Sequence, residues 1–102
     1  MGVVVASYTK QELLGKRHDI ETNMIEIRQA KLGLTDASKD LMHAGTDMDS
    51  ENPVVKQLQE RKSRLALVEK KLDMQLDDYE TKLAMINKDI QKCDEAIKSS
   101  IN

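Results

Sequence analysis

The sequence predicts an all-α protein, an antiparallel two-helix hairpin of coiled-coil type whose second helix is longer than the first. Two observations support this fold class. Apolar residues recur every seven positions in two series, one on each side of a short loop that contains Gly, Asp, Asn and the single proline. Heptad spacing keeps apolar side chains on one side of a helix, and two such sides pack together. Charged residues make up 33% of the chain and only two residues are aromatic, as in long helices with little interior.

The first apolar series predicts helix 1 over residues 9–44. Thr9 and Glu12 match a capping box, in which a hydroxyl and a carboxylate each satisfy a free backbone N–H at a helix start. Residues 1–8, with three consecutive valines, are then expected to form an extended apolar segment. Gly45 is expected to end the helix, and the loop is expected to span residues 45–52.

The second series predicts helix 2 over residues 53–101. Asn52 is a good N-cap residue, and Pro53 suits the first helical position, where a missing N–H has no cost. The positions between the heptad series are polar near the loop and apolar toward the carboxyl end of helix 2. The predicted seam between the helices consists of Leu13, Ile20, Ile27, Leu34, Leu41, Leu58, Leu65, Leu72, Leu76, Tyr79, Leu83 and Ile86.

The unequal helices leave apolar residues without an assigned partner. Closing the hairpin at residues 45–52 places Lys10 beside about Lys88, so the end of helix 2 extends past the start of helix 1. Either residues 1–8 or a second molecule would then cover this end, and the sequence leaves both open. The residues concerned are Ile90, Cys93, Ile97 and Ile101.

Further apolar residues lie off the seam. They are Leu14, Ile25 and Leu32 on helix 1, and Leu67, Met74 and Met85 on helix 2. One interpretation is lateral packing against other subunits or a partner protein. The other is scattered exposed apolar side chains, which are normal in soluble proteins. Both sets of residues are candidate partner contacts.

The sequence has no pattern that indicates an enzyme, a cofactor or a small-molecule substrate. His18 and His43 are isolated, and no zinc-ligand spacing or glycine-rich phosphate loop occurs. The loop acids Asp47, Asp49 and Glu51 lack the glycine and the final glutamate of a calcium loop. We therefore expect a protein without catalytic activity or a bound metal.

A basic cluster raises the question of nucleic acid. It comprises Lys56, Arg61, Lys62, Arg64, Lys70 and Lys71, interrupted by two glutamates. The whole chain has a net charge of −2, and no aromatic residue lies among these cations for base stacking. These facts argue against nucleic-acid binding and favour a solvated or partner-contacting face.

The expected location is the cytoplasm, although export without a leader is compatible with the sequence. No run approaches the ~20 apolar residues that a membrane span needs, and the apolar start lacks a basic region before it. The single cysteine, Cys93, excludes an internal disulfide and suits a reducing compartment.

These observations predict a structural, scaffolding or adaptor protein that acts through helical self-association or through binding of a partner helix. The alternative comes from a resemblance. A helix, the turn Ser50-Glu51-Asn52-Pro53 and a longer helix with a polar seam resemble the layout of needle and filament subunits of bacterial type III secretion and flagellar export systems. This resemblance implies a small subunit, or a hairpin chaperone, of such an export apparatus.

Overall fold

The chain forms a helical hairpin, as predicted. The computed structural model describes residues 2–44 and 48–101, with Ile101 described by its backbone only. These residues form helix α1, Val3–His43, and helix α2, Pro53–Ile101, with no strand among them. The helices contain 41 and 49 residues, which confirms the all-α fold with a longer second helix.

The hairpin divides into two compact units. Unit 1 comprises Met1–Ile25 with Asp77–Asn102, and unit 2 comprises Glu26–Leu76. Each unit contains a segment of α1 paired with a segment of α2. Each is therefore held together by side chains that meet between two antiparallel helical segments.

Polar pairs show the register of the helices in unit 1. Lys10 Nζ lies 2.6 Å from Asp94 Oδ1, and Arg17 Nη1 donates a hydrogen bond of 3.2 Å to Asn87 Oδ1. At this register Val3 is level with Ile101. The prediction that Lys10 lies beside Lys88 was wrong by six residues, because α2 does not extend past α1 at this end.

The extra length of α2 lies instead next to the loop, in unit 2. Lys31 forms an ion pair with Asp73, and Thr35 Oγ1 donates a hydrogen bond of 3.2 Å to Glu69 Oε1. This register makes His43 level with Arg61. The first two turns of α2, residues 53–60, therefore have no segment of α1 beside them.

Helix α1 begins at Val3 rather than at Thr9. The carbonyl of Gly2 accepts a hydrogen bond of 2.8 Å from the Ala6 N–H, so Gly2 occupies the cap position. The predicted extended segment over residues 1–8 is thus helical from Val3 onward, and Thr9 and Glu12 lie inside the helix. Ala6, seven residues before Leu13, continues the heptad series and is fully buried. This packing outweighs the modest helix propensity of the valines.

The start of α2 has the predicted cap. The Val54 N–H donates to Asn52 Oδ1 at 2.9 Å, and the Lys56 N–H donates to the Asn52 carbonyl at 3.2 Å. Asn52 also donates its own N–H to the Asp49 carbonyl at 2.9 Å, which closes the turn before the helix. At the other side of the loop, the predicted role of Gly45 lies outside the described residues.

The interior is thin and lies in unit 1. The buried residues of the described chain are Ala6, Met24, Ile90 and Cys93, all in that unit. In unit 2 the equivalent inward positions include Lys62 and Glu69, which are half-buried. A polar seam near the loop and an apolar one toward the carboxyl end of α2 agree with the sequence pattern.

Two glycines inside α1 are expected to weaken it. Gly15 and Gly33 are exposed, and a Cβ added at either position would meet no atom within 4 Å. Gly15→Ala and Gly33→Ala should each raise the free energy of unfolding by about 0.5–1 kcal/mol, since alanine loses less backbone entropy in a helix. Thermal unfolding followed by circular dichroism measures the change.

Gly2→Ala is the matched control for these substitutions. Its surroundings are equally open, but Gly2 caps the helix, where alanine is slightly worse than glycine. We expect no stabilisation from Gly2→Ala. An equal gain at all three positions would contradict the assignment of Gly2 to the cap.

Candidate interaction surfaces

The predicted seam residues all have the same degree of burial, although Leu58 lies in the part of α2 that has no segment of α1 beside it. Each is half-buried, neither enclosed nor open to solvent. A hairpin of two helices covers its facing side chains from one direction only, so partial burial is the expected state. The residues are Leu13, Ile20, Ile27, Leu34, Leu41, Leu58, Leu65, Leu72, Leu76, Tyr79, Leu83 and Ile86.

The apolar end of α2 is covered by the chain itself. Ile90 is 7% exposed and Cys93 is 2% exposed, while Ile97 is half-buried. The register of Lys10 with Asp94 brings the first turns of α1 beside them. Of the two alternatives, cover by residues 1–8 is closer to the structure than cover by a second molecule, but these residues are helical from Val3 rather than extended. The side chain of Ile101 lies outside the described residues.

The off-seam candidates divide into two groups. Leu14 is half-buried and belongs to the hairpin. Ile25, Leu32, Leu67, Met74 and Met85 are each between 54% and 67% exposed. Val4 and Tyr8, on the first turns of α1, are also exposed, at 75% and 73%. Large apolar side chains thus remain on the outside of both units.

Unit 1 contains a groove between its two helical segments, which we call the unit 1 groove. Its floor is apolar, its rim carries two cations and two anions, and its volume is about 470 Å³. The side chain of Lys82 lies over the ring of Tyr79, with Nζ 5.6 Å from the ring centre. The groove is lined by Leu13, Ile20, Met85 and Ile86 in the floor and by Lys16, Asp19, Lys82 and Asp89 along the rim.

Unit 2 has a smaller groove with a different rim. Leu41, Leu65 and Val68 form its apolar floor, and Arg61 and Arg64 line its edge. This groove adjoins the basic cluster. It can accept apolar side chains, and its two guanidinium groups favour an acidic edge on whatever lies against it.

The basic cluster is partly neutralised by its own neighbours. Lys56 Nζ lies 3.6 Å from Glu51 Oε2, and Arg64 Nη2 lies 3.9 Å from Glu60 Oε2. Both pairs are exposed, so each contributes at most about 1 kcal/mol. The cations of the cluster lie on several sides of α2 and have acidic neighbours; five are exposed and Lys62 is half-buried. Such an arrangement is a weak footprint for nucleic acid.

The described residues contain no cluster of metal-ligating side chains. No group of three His, Cys, Asp or Glu in this part of the chain could hold a metal ion. All buried side-chain nitrogen and oxygen atoms here have hydrogen-bond partners, and Cys93 is a free, buried thiol. Neither described helix contains a stretch apolar enough to cross a membrane.

The heptad series that begins at Leu13 does not predict Ala6 as an interior residue. Ala6 is the most fully buried residue in the described chain, yet alanine was not counted as a heptad residue. Its spacing of seven from Leu13 was the signal that could have found it. If Ala6 is counted as a heptad residue, the series predicts that α1 begins before Thr9, as it does in the structure.

Comparison with known proteins assigns no family to this arrangement. No family model matches the chain, and no curated protein and no solved structure is significantly similar to it.

Proposed function

We propose that this protein is a non-enzymatic scaffold or adaptor that acts through helical self-association or through binding of a partner helix. One observation carries the proposal: the large apolar side chains on the outside of the hairpin outnumber the side chains buried within it. Such surfaces in a small protein usually mark contacts with other proteins. A two-helix hairpin with this little interior also gains stability from association.

The form of the contact follows from the helices. Each unit offers a groove between two helical segments with an apolar floor. A helix that presents apolar residues at i, i+3, i+4 and i+7 fits such a groove. Exposed methionines such as Met74 and Met85 adapt their shape to a partner more readily than branched side chains.

The measurement that tests the proposal is molar mass in solution by light scattering, from low to the highest soluble concentration. We expect the mass to rise above that of one 11.6 kDa chain, with the thermal midpoint rising alongside it, because association stabilises the folded state. A single-chain mass at every concentration would contradict self-association. Binding of a partner helix would then be the remaining form of the proposal.

The alternative, a subunit or chaperone of a type III secretion or flagellar-type export apparatus, draws on the hairpin and on the capped turn at Asn52-Pro53. Subunits of a filament associate head to tail without closing. Continuous growth into polymers with concentration would favour this alternative. A plateau at a small, fixed number of chains would favour the scaffold. We infer a cytoplasmic location, for which the single buried thiol gives some support.

A further inference from the structure

We propose that the unit 1 groove is the self-association surface, and that a second copy of the chain packs on it with its helices antiparallel to those of the first. This inference rests on the proposed function and names its surface. The two copies would form an antiparallel four-helix arrangement in which each groove covers the other. The evidence is the order of charges along the groove.

One side of α2 carries five exposed residues at spacings of four and three, which we call the stripe. They are Asp78, Lys82, Met85, Asp89 and Lys92. Residues at these spacings lie along one side of a helix. The order is acid, base, methionine, acid, base. Asp78 and Lys92 each lie seven residues from Met85, and Lys82 and Asp89 lie three and four residues from it, so charges of opposite sign flank Met85 at nearly equal distances.

Because of this order, two copies of the stripe that run antiparallel place charges of opposite sign against each other. In an antiparallel pair centred on Met85, Asp78 faces Lys92 of the second copy, and Lys82 faces Asp89. The two-fold symmetry repeats both contacts, which gives four pairs of opposite charge. In a parallel pair at the same level, each of these residues faces its own copy and every charged contact is repulsive. The charge order therefore selects the antiparallel arrangement.

The α1 side of the groove has the same symmetry. Lys16 and Asp19 are exposed on the rim, and reversal about the point midway between them places each opposite the other in the second copy. The hydrogen bond between Arg17 and Asn87 makes this midpoint nearly level with Met85, within about 2 Å along the helix at 1.5 Å per residue. One two-fold axis therefore serves both helices of unit 1.

The charged groups involved are available for ion pairs with a second copy, although Lys82 also lies over the Tyr79 ring of its own chain. Within the described part of the chain, the ion pairs involve other residues, and none includes a charged residue of the stripe or Lys16 or Asp19. Met85 is 62% exposed at the centre of the stripe. Packing two grooves together would enclose it with Leu13, Ile20 and Ile86 of both copies, which is the apolar layer that the single hairpin lacks.

The test uses charge reversal in the full chain. Lys82→Glu alone, or Asp89→Lys alone, turns two attractive contacts of the dimer into repulsive ones. Each should raise the dimer dissociation constant by about tenfold. An equimolar mixture of the two variants should associate about as strongly as the unaltered chain, because the two variants complement each other. Sedimentation equilibrium measures all three samples.

Glu80→Lys is the matched control for Asp89→Lys. Glu80 is exposed and lies nine residues earlier, which places it on the opposite side of α2. The charge change is identical, so general effects of net charge appear equally in both variants. We expect the control to associate like the unaltered chain, and circular dichroism should show the same helix content in all variants.

A second measurement reports the centre of the contact. In Met85→Cys the new thiols of two copies would meet on the two-fold axis and form an intermolecular disulfide under mild oxidation, whereas Cys93 is buried. Mixed variants that associate no better than each variant alone, or a Met85→Cys chain that does not cross-link, would overturn this surface while leaving self-association intact. A chain that is monomeric at every concentration would overturn this surface and the self-association form of the proposed function, and would leave only the binding of a partner helix.

Discussion

Ile90→Ala is expected to lower the free energy of unfolding by about 2–4 kcal/mol, the usual result of removing a large aliphatic side chain from a packed interior. Ile90 is 7% exposed and is one of the few buried residues in the described chain. A hairpin with so thin an interior has little capacity to compensate for its loss. Chemical denaturation followed by circular dichroism gives the change, at a protein concentration low enough for a single chain.

Ile25→Ala is the control, because it removes the same atoms from an exposed position. Ile25 is 54% exposed on α1. The small loss of covered apolar surface there is offset by the higher helix propensity of alanine, so we expect a change within about 0.5 kcal/mol. A loss at Ile90 as small as that at Ile25 would contradict the burial of Ile90 by α1, and would return Ile90 to the exposed candidate partner contacts.

The sequence predicted the hairpin well because the signal is repeated. Every seventh residue from Leu13 to Leu41 is apolar and lies on the same side of α1, and a second series does the same for α2. Errors at single positions do not change the period. The cap at Asn52 and Pro53 is also a local signal, and the structure forms it as expected.

The register between the helices could not be predicted in the same way. A heptad series fixes which side of a helix faces its partner, but a shift of seven residues leaves the apolar pattern nearly unchanged. The observed register is the one that sets Lys10 against Asp94, a pair separated widely in sequence. To predict this register, one must know where α1 begins and must compare the side chains of both helices along their whole lengths.

For the candidate contact residues, too, the sequence predicts that they are apolar residues on a helix but not which of them face the other helix. Ile90 and Met85 look alike in sequence, as apolar residues near the carboxyl end of α2. The structure buries Ile90 and exposes Met85, because only the first faces α1. The sequence alone shows the alternating charges around Met85. Their position along one side of a groove requires the structure, because the opposite rim is formed by Lys16 and Asp19 of α1.

Ala6→Glu is the substitution that most directly tests the corrected start of α1. Ala6 has no exposed surface, so a glutamate there must either bring its charge between the helices or separate the first two turns of α1 from α2. Burial of an unpaired polar group costs about 2 kcal/mol or more. Local separation limits the loss, since the end of the helix can open without global unfolding. We expect a loss of about 2 kcal/mol, with reduced amide protection over residues 6–10 in hydrogen exchange, since the Ala6 N–H is the first to be bonded within the helix.

Val5→Glu separates this effect from a general intolerance of charge near the start of the helix. Val5 is the adjacent residue and is 58% exposed, since successive side chains on a helix point about 100° apart. Glutamate in the first turn also interacts favourably with the helix dipole, so stability should stay within about 0.5 kcal/mol of the unaltered chain. If both substitutions were harmless and amide protection began only after Thr9, the capping box would be the true start of the helix, and the cover over Ile97 would have to come from elsewhere. A loss confined to Ala6→Glu shows instead that the first two turns belong to the interior of unit 1.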